Sequence, residues 1–146
     1  MLDRELHIAV VGLGYVGRPL AGALARHFHV VGYDTDTSRS SCTEQDIVSC
    51  NVYIIAVPTP LSVDGLPDLS YLMSATSMVG RMLKRGDIVV FESTVFPGCT
   101  EEECIPMLEQ ISGMRCVNDF GVGYSPERVN PGDDVHRLDN VVKIIS

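Results

Sequence analysis

The stretch Ile8-Ala-Val-Val-Gly-Leu-Gly-Tyr-Val-Gly-Arg-Pro-Leu-Ala21 constrains the fold more than any other part of the chain. A short apolar run reads as a buried strand. It ends in Gly12-x-Gly14-x-x-Gly17 and passes directly into a helical pattern. The three glycines serve different physical ends. Gly12 permits a tight turn, Gly14 lets backbone approach a pyrophosphate, and Gly17 lets helix and strand pack closely. Phosphates would then face a helix N-terminus, where unpaired N–H groups and the dipole favour negative charge. Pro19 fits, because the first helical turn tolerates a missing N–H.

Glycine spacing alone is weak, and the flanking pattern strengthens it. His29-Val-Val-Gly-Tyr-Asp34 reads as a second strand ending in an acid. Asp34 stands about twenty residues past the glycines, where a ribose-binding carboxylate is expected. A carboxylate there accepts the ribose 2′-hydroxyl and repels a 2′-phosphate, so NAD is expected over NADP.

The rest of the chain continues the alternation. Strands are expected over 6–11, 29–34, 51–57 and 88–92, with further candidates at 120–124 and 141–145. Helices are expected over 15–28, with Leu20, Ala23, Leu24 and Phe28 on one face, and as a short crossover over 43–49. A third, capped by Asp68 or Ser70, carries Leu69, Leu72, Met73, Thr76 and Leu83 and is closed by Gly86. A fourth has Thr100 as N-cap and Glu101, Glu102 and Glu103 in its first turn. Cys104, Ile105, Leu108 and Ile111 form its inner face, and Gly113 ends it. Strands alternating with helices imply an α/β fold, a Rossmann-like doubly wound parallel sheet in one domain over 1–146. Ligands in such sheets bind beyond the carboxyl ends of the strands. Gly12–Gly17, Asp34, Pro58–Pro60, Ser93–Gly98 and Ser125–Asn130 all fall there.

Composition narrows the partners. A net charge of −8 argues against nucleic acid and against an anionic membrane surface. No apolar run approaches membrane-spanning length, and the first residues lack the pattern of a signal peptide. The five cysteines show no Cys-x-x-Cys pair and read as free thiols in a reducing cytoplasm. The four histidines show no ligand spacing relative to them, so no metal site is expected.

Longer motifs carry a family resemblance. Gly12-Leu-Gly-Tyr-Val-Gly17, Val57-Pro-Thr-Pro60, Pro67-Asp-Leu69, Glu92-Ser-Thr-Val-Phe-Pro-Gly-Cys-Thr-Glu-Glu102 and Gly123-Tyr-Ser-Pro-Glu-Arg-Val-Asn-Pro-Gly-Asp133 occur in order along nearly the whole chain. Together they resemble the N-terminal domain of UDP-glucose/GDP-mannose-type nucleotide-sugar 6-dehydrogenases. The last two stretches are similar to the branch acting on UDP-N-acetylhexosamines, which makes uronic acids for capsules and surface polysaccharides.

The resemblance implies oxidation of a C6 alcohol to a carboxylate with two NAD molecules, through an aldehyde and a cysteine thioester. It places Gly12, Gly14 and Gly17, with the Tyr15 and Val16 amides, on the pyrophosphate, and Asp34 on the adenosine ribose. Arg39 matches a basic position near the adenosine. Thr59 and Thr94 match contacts to the nicotinamide half, Thr94 also orienting a catalytic water or hydroxyl. Glu127 resembles the carboxylate that assists thioester hydrolysis. Glu92 has no motif support and reads as a strand-end carboxylate. Arg128 could meet substrate or Glu127, and His136 and Arg137 match the pattern without an assignable role.

Three departures accompany the resemblance. The chain stops at Ser146, before the linking helix, the sugar-binding residues and the nucleophile stretch of the family. No cysteine here matches that nucleophile, and Cys99 and Cys104 read as apolar helix-facing thiols. This chain alone is therefore expected to bind cofactor without turning over substrate, the UDP-sugar being held mostly by a second domain and the whole enzyme being a homo-oligomer. The interval 35–50 is shorter than the family's helix–strand–helix, so either residues are deleted and a sheet edge is lost, or a segment is missing from the chain as written. The clean resumption of the pattern after it favours a missing disordered segment. Arg18 stands where the family is often apolar, and either adds charge near the phosphates or faces solvent.

Two other readings compete. One is a non-catalytic NAD-binding module from a truncated gene. The other is a dehydrogenase of the 3-hydroxyacid or 6-phosphogluconate type, against which residues 97–102 and 125–133 speak.

Overall fold

The computed structural model describes residues 4–126 and residue 146. Five parallel strands, β1 (His7–Val11), β2 (His29–Tyr33), β3 (Val52–Ile55), β4 (Ile88–Phe91) and β5 (Gly121–Tyr124), form one sheet in the order β2-β1-β3-β4-β5. The helices α1 (Gly17–Leu24), α2 (Ser70–Gly80) and α3 (Ile105–Ser112) cover both faces. This is the doubly wound arrangement that the strand–helix alternation predicts.

Alternating side chains of β1 divide the core. Ile8 and Val10 pack with Ile54 against Leu20, Ala21 and Leu24 of α1. Ala9 and Val11 face the larger cluster with Leu72 and Val79 of α2 and Leu108 of α3. Both faces are buried, which explains the unbroken apolar reading of β1. The chain moves outward from β1 to β2 on one side and to β3 on the other. The carboxyl ends of β1 and β3 therefore bound the crevice where the winding reverses.

Several boundaries differ from the sequence expectation. The first helix ends at Leu24, and residues 25–28 form a tighter turn in which His27 N–H donates to Leu24 O at 3.0 Å. Phe28 consequently leaves the apolar face and is exposed. The α2 helix stops at Gly80, with Leu83 in the turn beyond it. Of its two expected caps, Asp68 performs the bonding: its Oδ1 accepts the Ser70 N–H at 2.9 Å. Thr100 is not an N-cap. Gly98, at φ +90°, turns the chain early, so Glu102 N–H already donates to Gly98 O at 2.8 Å and Thr100–Cys104 form a widened π turn running into α3.

The crossover from β2 to β3 contains no α-helix, only a 3-10 turn over Asp46–Ser49. Asp46 closes it by accepting from both the N–H and the hydroxyl of Thr43 at 2.7 Å. Lys84 Nζ donates to Val48 O and Cys50 O at its other end. Ser41 meets the outer edge of β2, its N–H donating to Gly32 O and its hydroxyl accepting Gly32 N–H. The interval 35–50 forms a hydrogen-bonded connection, and no strand flanks β2 among the described residues. The strand candidate at 141–145 lies outside the described residues.

Candidate cofactor site

The glycine loop is shaped by close approach. Gly12 adopts φ +93°, and a Cβ there would stand 2.8 Å from Ala56 O. Gly17 is tighter still, since its Cβ would lie 1.8 Å from Gly12 O. A Cβ on Gly14 would meet nothing within 4 Å, so the loop is open at this position. The Arg18 N–H donates to Gly14 O at 3.1 Å, which starts the first turn of α1. The N–H groups of Gly14, Tyr15 and Val16 make no hydrogen bond within the described residues. They are the orphan donors of a helix N-terminus, and an anion satisfies them.

Asp34, just past β2, is held against this loop. Its Oδ2 accepts Leu13 N–H at 2.7 Å and its Oδ1 accepts Asp36 N–H at 2.9 Å. The carboxylate is therefore fixed before any ligand arrives, while its remaining lone pairs stay available. Arg39 lies on the same rim and pairs through Nε with Asp36 Oδ2 at 3.3 Å. Two hydroxyl groups fasten the ends of β3 and β4 together. Thr59 Oγ1 donates to Thr94 O, and Ser93 Oγ donates to Val57 O at 2.8 Å.

The glycine loop, the β2 end and the β3 and β4 ends border one cavity of about 780 Å3. Gly12, Gly14, Tyr15, Val16, Asp34, Arg39, Thr59 and Thr94 all line it, whereas Gly17 sits beneath the loop as a packing residue. Arg18 is exposed and borders a separate shallow depression on the outer side of the loop. Glu127, Arg128, His136 and Arg137 lie outside the described residues. The cavity also has a wall that the sequence reading missed. Tyr71, Ser74, Ser77, Met78 and Arg81 of α2 and its C-terminal turn line it, and Arg81 pairs with Glu44 at 3.8 Å across the β2 end. Their spacing is that of a helix stripe beside the core stripe, a signal present in the sequence. Glu92 lines the cavity from the end of β4.

The donors and the glycine cradle suit a dinucleotide phosphate, and the fixed carboxylate suits a ribose. Among the described residues no group of three or more His, Cys, Asp or Glu side chains converges as a metal cluster would. No helix among them is long and apolar enough to cross a membrane.

None of the five cysteines lines the cavity. Burial raises every one of their thiol pKa values, and burial together with the neighbouring Cys99 pushes Cys104 up to about 12. A protonated, enclosed thiol is a poor nucleophile. Iodoacetamide treatment of the native protein, read by peptide mass spectrometry, is expected to modify the half-buried Cys42 and Cys116 well before Cys50, Cys99 and Cys104. Early modification of Cys104 would contradict this packing.

The chain is similar to known proteins. Residues 38–146 match the UDP-glucose/GDP-mannose dehydrogenase family, NAD binding domain. A UDP-N-acetyl-D-glucosamine 6-dehydrogenase of Salmonella typhi is 48% identical over 97% of this chain and 40% of its own length. The corresponding enzyme of Pseudomonas aeruginosa is 44% identical over 98% of this chain and 40% of its own. The Salmonella alignment runs over 168 residues although the chain has 146, so that relative carries residues with no counterpart here. A solved UDP-D-ManNAc dehydrogenase from Pyrococcus horikoshii superposes with a TM-score of 0.82 at 37% identity, over 87% of this chain and 37% of that one. The chain thus spans about 40% of the length of the curated relatives it matches. It belongs to the UDP-glucose/GDP-mannose dehydrogenase family, and it is the NAD-binding domain of that family.

Proposed function

We propose that residues 1–146 are one domain, the NAD-binding part of a UDP-N-acetylhexosamine 6-dehydrogenase that makes a uronic acid by a four-electron oxidation. What supports this most is the meeting of the Gly14–Val16 amides, the fixed Asp34 carboxylate and the Thr59–Thr94 pair on one cavity at the reversal of the sheet. The 43–48% identity to relatives that include the two UDP-N-acetyl-D-glucosamine 6-dehydrogenases supports the sugar class.

In this reading Gly12, Gly14, Tyr15 and Val16 receive the pyrophosphate, with Gly17 holding the loop in place. Asp34 accepts the adenosine ribose, and Arg39 flanks the adenosine. Thr59 gives its proton to Thr94 O, so its hydroxyl is left to accept from the nicotinamide half. Thr94 orients a water or substrate hydroxyl, and Glu127 assists thioester hydrolysis. When bound, NAD supplies the hydride acceptor. The nucleophilic thiol and most sugar contacts are assigned to polypeptide other than these residues, because no cysteine here borders the cavity. The free thiols favour a cytoplasmic location, and the whole enzyme is expected to be a homo-oligomer.

The same lack of a cavity-lining thiol favours a second reading, a non-catalytic NAD-binding module. Calorimetric titration with NAD is expected to show saturable binding to this chain, and incubation with NAD and UDP-N-acetylglucosamine is expected to yield no NADH. Absent binding overturns the proposal, and steady NADH production overturns the assignment of the thiol elsewhere.

A further inference from the structure

The two halves of the cavity carry different acids. Asp34 and Glu44 stand at the β2 end, where the adenosine half is proposed to lie. Glu92 stands at the β3–β4 end beside Thr59, Ser93 and Thr94. It is the residue following β4, its N–H is anchored to Ile55 O at 2.8 Å, and it is only 4% exposed. Ser93, next in the chain, is tied to Val57 O. The backbone under Glu92 is therefore held on both sides at the cavity wall.

Oxidised and reduced nicotinamide dinucleotides differ in one respect that such a group can sense. The ring is a cation before hydride transfer and neutral afterwards, while the pyrophosphate and both riboses are unchanged. A carboxylate bordering the ring stabilises the cation and has no such attraction for the neutral ring. We infer that Glu92 is a specificity-determining residue that makes this site prefer NAD+ over NADH. The inference rests on the proposed placement of the nicotinamide half at the β3–β4 end. It gives the four-electron reaction something that it needs. Each sugar consumes two NAD+, so NADH must give way to NAD+ while the half-oxidised sugar is retained, and a site biased against the neutral ring promotes that exchange.

A carboxylate bordering a cation at the effective dielectric of a protein site is worth on the order of a tenfold difference in affinity or more. Calorimetric titration of the chain with NAD+ and NADH in parallel should show tighter binding of NAD+. In Glu92→Gln the ratio of the two dissociation constants should move toward NADH by about tenfold, equal to about 1.4 kcal/mol, with the loss on the NAD+ side. Glu92→Asp, which keeps the charge, should retain most of the preference. A wild-type chain that binds NADH as tightly as NAD+ overturns the inference whether or not either variant folds. So does a ratio that Glu92→Gln leaves unchanged. A wild-type chain that binds neither dinucleotide overturns the cofactor-site reading itself, and the inference falls with it.

Discussion

Gly17→Ala is expected to destabilise the fold severely. The added Cβ would lie 1.8 Å from Gly12 O and 2.9 Å from the carbonyl carbon of Gly12, so both partners in the clash are backbone. No side-chain rotation can relieve it. Either the glycine turn or the first turn of α1 must shift. Moving the turn drives Gly12 toward Ala56 O, where a Cβ would already stand at 2.8 Å. Moving the helix strips Leu20, Ala21 and Leu24 from Ile8, Val10 and Ile54 of the smaller core cluster. The cost is expected to exceed about 4 kcal/mol, against a total stability of roughly 5–15 kcal/mol for a domain of this kind. Circular dichroism and urea titration measure it directly. Gly14→Ala is the contrast: its Cβ meets nothing within 4 Å, so the melting temperature should hardly change while NAD affinity drops. A Gly17→Ala protein that melts like wild type would show that the helix does not rest on the turn as closely as described.

That contrast also explains which parts of the molecule could be read from residues alone. The glycine spacing and Asp34 were legible because their geometry is local: one turn, one helix start and one strand end carry the requirement within a few residues. The parallel sheet followed from the regular alternation. Phe28 was misplaced because helical spacing persists for a residue or two after the hydrogen bonds have tightened. Thr100 was misplaced because Gly98 offered its carbonyl to Glu102 first, a competition invisible in capping preferences. The α2 wall was missed for another reason. Tyr71, Ser74 and Ser77 form an ordinary polar stripe, which borders the cavity because Leu72, Ala75 and Val79 turn the other side of α2 into the core. Glu92 looked like any strand-end acid, and its enclosure came from the pairing of β3 with β4.

Asp34→Ala should weaken NAD binding by about 100-fold while leaving a folded protein. One carboxylate serves two structures here: Oδ2 takes the Leu13 N–H and Oδ1 takes the Asp36 N–H. Hydrogen bonds to a charged group contribute about 1.5–3 kcal/mol each, and the variant loses the proposed ribose acceptor together with the order of the loop proposed to receive the phosphates. The damage stays local, because Gly12 N–H remains bonded to Tyr33 O at 2.9 Å and Gly17 still packs beneath the turn. Asp34→Asn separates the two roles. The amide oxygen can still accept from Leu13 N–H, so the loop keeps its shape, but the negative charge that repels a 2′-phosphate is gone. Titration of this variant should therefore show a smaller loss for NAD and a gain for NADP, helped by Arg39 on the same rim. If Asp34→Ala binds NAD within about threefold of wild type, the Leu13 and Asp36 bonds are structural only and the ribose must be held elsewhere.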